Sequence, residues 1–182
     1  MMTFLKDEKV DLRKLSIDDD LNDYLALIND VENLKWVEGV GNVPVNREDL
    51  IEFIKSNNNL FLGIFDSDDR HIGNIQLSRI NFQHRSCEMG IIMGREFCGK
   101  GYAKSACRLV IKHAFEMLNL HRIYLGVVSE NKEAIKLYDE LGFVKEGIEK
   151  DMHLYNFKYY DVIRYRMLED EYLTIQNNIQ SD

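Results

Sequence analysis

Arg95-Glu96-Phe97-Cys98-Gly99-Lys100-Gly101-Tyr102-Ala103 joins a β-rich run, Cys87 to Met93, to the longest helical pattern in the chain. In that pattern Ala103, Ala106, Cys107, Val110, Ile111, Ala114, Met117 and Leu118 recur at helical spacing, which predicts one helix from Tyr102 to Leu118. Glycines let a backbone approach a ligand closely, and a helix start offers outward N–H groups and partial positive charge. Strand, Gly-x-Gly and helix therefore suit a bound anion such as a pyrophosphate, with Lys100 adding a full charge. The same residues also suit a tight strand-to-helix turn that binds nothing, and the pattern alone leaves both open. Two other phosphate loops drop out. The spacing is not GxxxxGK followed by Ser or Thr, and no GxGxxG with a distant acidic residue follows a first strand.

Downstream, Arg122 to Val128 reads as a strand, Asn131 to Leu141 as a helix stopped by Gly142, and Phe143 to Ile148 as another strand. Met152 to Tyr155 and Tyr160 to Met167, joined by Asn156-Phe157-Lys158, read as a closing hairpin; residues 169–182 read as a polar, partly frayed tail. Upstream, Leu60 to Phe65 and Ile72 to Ile80 form a hairpin about the polar turn Asp66 to Arg70. Val10 to Ser16 is a first strand, and Asp18 caps a helix carrying Leu21, Tyr24, Leu25 and Ile28. A loop from Glu38 to Pro44 precedes a second helix that starts after Asn46 and carries Leu50, Ile51, Phe53 and Ile54.

The chain has 182 residues, 45% hydrophobic and 30% charged, with Pro44 as its only proline and no internal repeat, which predicts a single domain over 1–182. No apolar run approaches the roughly 20 residues of a membrane span, and Met1 to Glu8 lacks the apolar core of a secretion signal, so a cytoplasmic protein is expected. Cys87, Cys98 and Cys107 have neither zinc-site spacing nor disulfide density and read as reduced thiols. His84, His113, His121 and His153 show no ligand spacing, and no metal is expected. A net charge of −8 argues against nucleic acid as a partner and leans towards a cationic substrate.

Cys98-Gly99-Lys100-Gly101-Tyr102-Ala103 resembles the pyrophosphate loop of the Gcn5-related N-acetyltransferases (GNAT), which runs Gln or Arg, two residues, Gly, one residue, Gly or Ala. Cys98 departs from that pattern by removing a polar side chain; the backbone donors remain. Asn131-Lys132-Glu133-Ala134-Ile135-Lys136-Leu137-Tyr138-Asp139-Glu140-Leu141-Gly142-Phe143 is similar to the family's second signature. The likeness covers roughly Ile64 to Met167. Ile80 to Ile92 and the C-terminal hairpin look most like the branch with ribosomal-protein and spermidine N-acetyltransferases.

The resemblance implies an α/β (α+β) fold: a mixed, mostly antiparallel twisted sheet of about seven strands flanked by helices and splayed between strands four and five. It also implies acetyl-CoA as co-substrate and an amine acceptor, with a homodimer or higher homo-oligomer compatible. Ile91, Ile92 and Met93 match the strand whose backbone grips the pantetheine arm, and a neighbouring N–H would polarise the thioester carbonyl. Cys98, Gly99, Lys100, Gly101, Tyr102 and Ala103 would hold the pyrophosphate, and Asn131 would bond the cofactor arm. Tyr138 matches the tyrosine that protonates the departing thiolate, and Glu88 is the candidate base, acting through water. An amine of pKa near 10.4 costs roughly 4.6 kcal/mol to present neutral at pH 7, which is why a base is sought.

Each residue also has a plainer reading. Tyr138 can cover its helix beside Leu137 and Leu141, and Glu88 can pair with Arg79 or Arg85. Cys98, at a helix start beside Lys100, is a candidate reactive thiol, although most such cysteines are inert. Asp18, Asp19, Asp20, Glu32 and Glu38 would attract a polyamine, or form a solvated face, and Trp36 would line the acceptor pocket or pack the helices. The acceptor classes in view are a protein or peptide N-terminus, a small-molecule amine, a polyamine and an amino sugar. A non-catalytic acyl-CoA sensor is the rival of another class.

Overall fold

The computed structural model describes residues 2–19, 21–37, 43–56 and 59–180, without the side chains of Asn33, Ile179 and Gln180. Asp20, Glu38 and most of the expected Glu38–Pro44 loop lie outside the described residues. The elements are β1 (Thr3–Lys6), β2 (Asp11–Arg13), α1 (Asn22–Ile28), α2 (Val31–Leu34), α3 (Arg47–Ser56), β3 (Leu60–Phe65), β4 (His71–Asn81) and β5 (Ser86–Met93). They continue as α4 (Tyr102–Lys112), β6 (Arg122–Val128), α5 (Lys132–Leu141), β7 (Val144–Tyr155), β8 (Lys158–Leu168) and α6 (Glu169–Gln180). The strands form one eight-stranded sheet, β1-β2-β3-β4-β5-β6-β8-β7. β5 and β6 run parallel, and the other registered pairs are antiparallel. The strand beyond the expected seven is β1, which pairs with β2.

The chain divides into two compact units, the first comprising Met1–Ser78 and Gly90–Val110. Its helical side is built on Leu15, Leu21, Tyr24, Leu27, Ile28, Leu34, Leu50 and Phe65, with Ile92 of β5 packed against them. Burying each large aliphatic side chain there contributes about 1.5–3 kcal/mol before entropy is counted. α3 starts with a reciprocal cap: Asp49 N donates to Asn46 Oδ1 (2.9 Å) and Asn46 N to Asp49 Oδ2 (3.0 Å). Asp18 does not cap α1. The helix begins after Leu21 with no side-chain cap, and the carboxylate of Asp19 closes the preceding turn by accepting from Ser16 N.

Gly73 lies where β4 passes close to β5. A Cβ there would fall well inside contact distance of the Ile92 carbonyl oxygen and 2.7 Å from Met93 Sδ. His71, beside it on β4, is buried, stacks on Phe65 at 4.8 Å and shares a 2.9 Å bond between Nε2 and Gly73 O. Burial pushes its pKa below the ordinary 6.5, and the bond to Gly73 only partly opposes that. The folded chain therefore resists a proton that the unfolded chain accepts, so stability is full above pH 6.5 and declines as pH falls through 6.5 towards the folded pKa. The urea midpoint should drop between about pH 7.5 and 5.5. The drop should shrink in His71→Gln; an equal slope in both proteins would acquit His71.

The second unit comprises Arg79–Met89 and Ile111–Asp182. β6 pairs with β8 from Arg122↔Leu168 to Val128↔Val162, and Ile123, Leu125 and Val127 are buried. β7 and β8 meet at Asn156 and Phe157, both at positive φ (54° and 61°), as a two-residue hairpin turn requires. The two strands expected at Phe143–Ile148 and Met152–Tyr155 are one strand. Its register against β8 shifts between Lys145 and Gly147 and again between Glu149 and His153, with Asp151 at φ 50°. β7 forms the sheet edge and exposes Val144, Ile148, Met152 and Leu154.

The helical stripe keeps its phase only to Lys112. His113–Met117 forms a π turn, closed by Leu118 N donating to His113 O (3.0 Å). The wider turn shifts the phase of the stripe, so Met117 is exposed rather than core and Phe115 is buried against Tyr172 at 4.8 Å. Residues 169–180 are a helix instead of a polar tail: Tyr172 is buried and its hydroxyl donates to Glu116 Oε1 (2.6 Å). No helix among the described residues is long and apolar enough to cross a membrane.

Candidate active site

In the first unit, Gly90 to Met93 end β5, and Ile91, Ile92 and Met93 are half-buried. The registered pairing of β5 with β6 stops at Glu88↔Tyr124, although β5 continues to Met93. Gly94 N then donates to Ile72 O (2.9 Å), and a single 3-10 turn, Arg95–Phe97, leads to Cys98. Arg95 grips Asp30 between α1 and α2 through Nε (3.1 Å) and Nη2 (2.8 and 2.9 Å).

Cys98, Gly99, Lys100 and Gly101 are exposed and Tyr102 and Ala103 half-buried. Gly99 and Gly101 have φ of 73° and 84°, left-handed values that other residues adopt at a cost. Nothing lies within 4 Å of a Cβ built on Gly99, leaving room for a ligand against the backbone. The first bond of α4 runs from Ser105 N to Gly101 O (3.1 Å), so the N–H groups of Tyr102 and Ala103 precede the helical ladder. An open glycine cradle that ends in a helix start fits a pyrophosphate.

Cations surround this loop in a chain of net charge −8. Lys100 Nζ lies 5.4 Å from the Phe97 ring centroid, and the Arg70 guanidinium 5.3 Å from the same ring. Arg70 also donates to Asp66 through Nε (2.8 Å) and Nη2 (2.6 Å). Lys9 Nζ stands 3.0 Å from the place of a Cβ on Gly101. The sequence pointed to Lys100 alone, because only Lys100 is contiguous with the glycines. Lys9 and Arg70 arrive from turns distant in sequence, and no local pattern signals them. Cys98 Sγ lies 3.6 Å from Gly94 O.

In the second unit, Glu88 stands opposite Tyr124 in the parallel ladder, while Cys87 is fully buried on the other face of the strand. Glu88 Oε2 pairs with Arg79 Nε at 3.3 Å; the Glu88 side chain is 24% exposed and that of Arg79 76%, so water reaches the pair. Burial, with the Glu88 charge adding to it, pushes the Cys87 thiol up to about 12, and burial alone does the same for Cys107. Neither buried cysteine is a nucleophile at neutral pH.

Asn131 is the N-cap of α5, its Oδ1 accepting from Ala134 N (3.2 Å), which leaves its amide nitrogen as the group for a ligand carbonyl. Tyr138, on the same helix, is buried with its ring edge-on to Phe143 (5.6 Å) and 6.1 Å from Tyr165. The Tyr138 carbonyl accepts from Phe143 N (3.0 Å), and Gly142 ends the helix at φ 88°. Asp18 and Glu32 are exposed and Asp19 half-buried; Lys35 Nζ sits over the Trp36 ring at 5.2 Å. A depression of about 470 Å³ on α3, lined by Glu48, Ile51, Glu52, Lys55 and Ser56, contains none of these residues.

Residues 9–144 match the model of the acetyltransferase (GNAT) domain. The chain belongs to this family. It is 42% identical over 108 residues to a spermidine N(1)-acetyltransferase of Vibrio cholerae, a match spanning 59% of this chain and 62% of that protein. It is 30% identical over 112 residues to the ribosomal protein uS5-alanine N-acetyltransferase of Escherichia coli, across 60% and 58% of the two chains. These alignments thus span about three fifths of the curated relatives' own length. A crystal structure of the Vibrio cholerae spermidine N-acetyltransferase in complex with CoA and spermine superposes with a TM-score of 0.82 at 33% identity, covering 92% of this chain and 99% of that one.

Proposed function

We propose that this protein is an N-acetyltransferase that moves the acetyl group of acetyl-CoA to a primary amine by direct attack in a ternary complex. The observation that carries this reading is the Gly99–Gly101 cradle at the start of α4, open above Gly99 and flanked by cations. Residues 1–182 are read as one acetyltransferase domain, since all three unit boundaries cut through continuous elements, β4, β5 and α4. A polyamine such as spermidine is the preferred acceptor, supported by the 42% identity to a spermidine enzyme and by the acidic balance of the chain. A cytoplasmic setting suits three free cysteines, and the protein is read as a homodimer or larger assembly.

Acetyl-CoA supplies an activated thioester; the chain supplies grip and proton transfer. Cys98, Gly99, Lys100, Gly101, Tyr102 and Ala103 hold the pyrophosphate mainly through backbone N–H groups, so Cys98 in place of a longer polar side chain is tolerated. Ile91, Ile92 and Met93, beyond the registered β6 pairing, present main-chain groups to the amides of the cofactor arm, and Asn131 adds a donor from its amide nitrogen. Glu88 accepts the ammonium proton through a water, and Tyr138 Oη holds the proton that the leaving thiolate needs.

Thiol release from acetyl-CoA, followed against spermidine, spermine, amino sugars and N-terminal peptides, tests the reading. Release stimulated by polyamines supports it; tight acetyl-CoA binding with no turnover on any amine favours the sensor. Glu88→Gln should lower kcat/KM about 100-fold at pH 7, with the deficit shrinking at high pH where the amine is neutral without help. An unaltered pH profile in that variant removes Glu88 from the mechanism.

A further inference from the structure

Lys9 belongs to no motif, yet its ammonium lies beside the glycine loop, on a turn whose backbone is fixed by specific contacts. The turn between β1 and β2 is organised by Asp7. Its Oδ1 accepts from Lys9 N (2.8 Å) and Val10 N (2.9 Å), and its own N–H donates to Val10 O (3.1 Å). Partial burial raises the pKa of the Asp7 carboxyl, but the nearby Ser105 side chain, in the first turn of α4, and the Lys9 and Val10 N–H groups hold it below its ordinary value. The turn thus lies beside the helix whose start forms the cradle. From there the side chain of Lys9 reaches the loop, with Nζ 3.0 Å from the Cβ position of Gly101. β1 and Asp7 lie ahead of the family-matched segment, 9–144, and Lys9 is its first residue.

We propose that Lys9 is a ligand of the cofactor's pyrophosphate, supplied from outside the glycine motif by the β1–β2 turn. The proposal rests on the acetyl-CoA reading above. An ammonium is a compact point charge that serves phosphate oxygens without demanding one orientation, and the backbone of its turn is already fixed by the Asp7 carboxylate. Lys100 belongs to the motif itself, and Lys9 reaches Gly101 from the β1–β2 turn. A side chain at position 101 would crowd the Lys9 ammonium as well as strain a backbone at φ 84°.

Calorimetric titration with CoA, which needs no turnover, tests this on the full chain. In low salt, Lys9→Ala should weaken CoA binding about tenfold, and Lys9→Arg should stay near wild type. The gap should narrow in about 1 M salt, where the Debye length is about 3 Å. Dephospho-CoA, which keeps the pyrophosphate and lacks the 3′-phosphate, should show the same penalty. Thermal unfolding of the ligand-free variants should match wild type, so that a weaker complex is not a damaged fold. Equal affinities for wild type and Lys9→Ala overturn the proposal, and a penalty that vanishes with dephospho-CoA overturns the assignment to the pyrophosphate. A wild-type protein that binds no CoA overturns the functional reading itself, and that outcome is visible before any variant is made.

Discussion

Tyr138→Phe should lower kcat about 100-fold or more while leaving the affinity for CoA within about twofold of wild type. The substitution removes one oxygen from a buried ring and keeps every apolar contact, including the edge-on packing against Phe143 and the approach to Tyr165. A fold defect is therefore a poor explanation for lost turnover. If the phenol supplies the proton for the thiolate, its loss acts on the transition state, and kcat and kcat/KM fall together. Stopped-flow thiol release beside CoA calorimetry separates the outcomes. Nearly full turnover would return Tyr138 to a packing role, and an equal loss of affinity would make it a binding residue.

The second large effect is expected at Gly101. Gly101→Val should reduce CoA affinity at least 100-fold, because it adds two separate costs at the cradle. A β-branched residue at φ 84° pays about 1–3 kcal/mol in backbone strain, and relaxing that strain turns the neighbouring N–H groups away. The new Cβ also meets Lys9 Nζ at 3.0 Å, and the rest of the valine side chain crowds that cation further. Gly99→Ala makes an informative partner: the strain is similar at φ 73°, yet nothing of the protein lies within 4 Å of the added atom. Any excess loss in that variant reports the ligand occupying the open space. Wild-type affinity in Gly101→Val would remove the loop from the cofactor site.

How much of this was legible depended on whether the signal was local. The strands Leu60–Phe65 and Arg122–Val128 have the bounds expected from their β-rich runs; α5 ends at its expected glycine and starts one residue after Asn131, which caps it. Local chemistry is also why the glycine loop was visible. β1 escaped because Thr-Phe-Leu-Lys is short and only half-buried, so neither length nor apolar density marks it. The π turn has no propensity signature; it appears only as Met117 leaving the stripe. α6 looked like a tail because its polar residues dominate, and what anchors it is long-range: Tyr172 meets Phe115 and Glu116, and Glu169 pairs with Arg85. Lys9 was invisible for the strongest reason, since its neighbour Gly101 is brought to it only by the folded sheet and helix. The strand pairs and helix ends were thus open to sequence reasoning, and the long-range charges of the candidate site were not.

The irregular edge strand β7 has a bearing on how this protein behaves when crowded. A twelve-residue edge strand with four exposed apolar side chains is the raw material of a fibril seed. Two register shifts and the left-handed Asp151 kink that ribbon, so a second molecule cannot lie flat along it. Long-term storage at high concentration is therefore protected by local backbone shape as well as by mutual charge repulsion. A homologue regularised at these bulges for a neater sheet would trade that protection for stickiness.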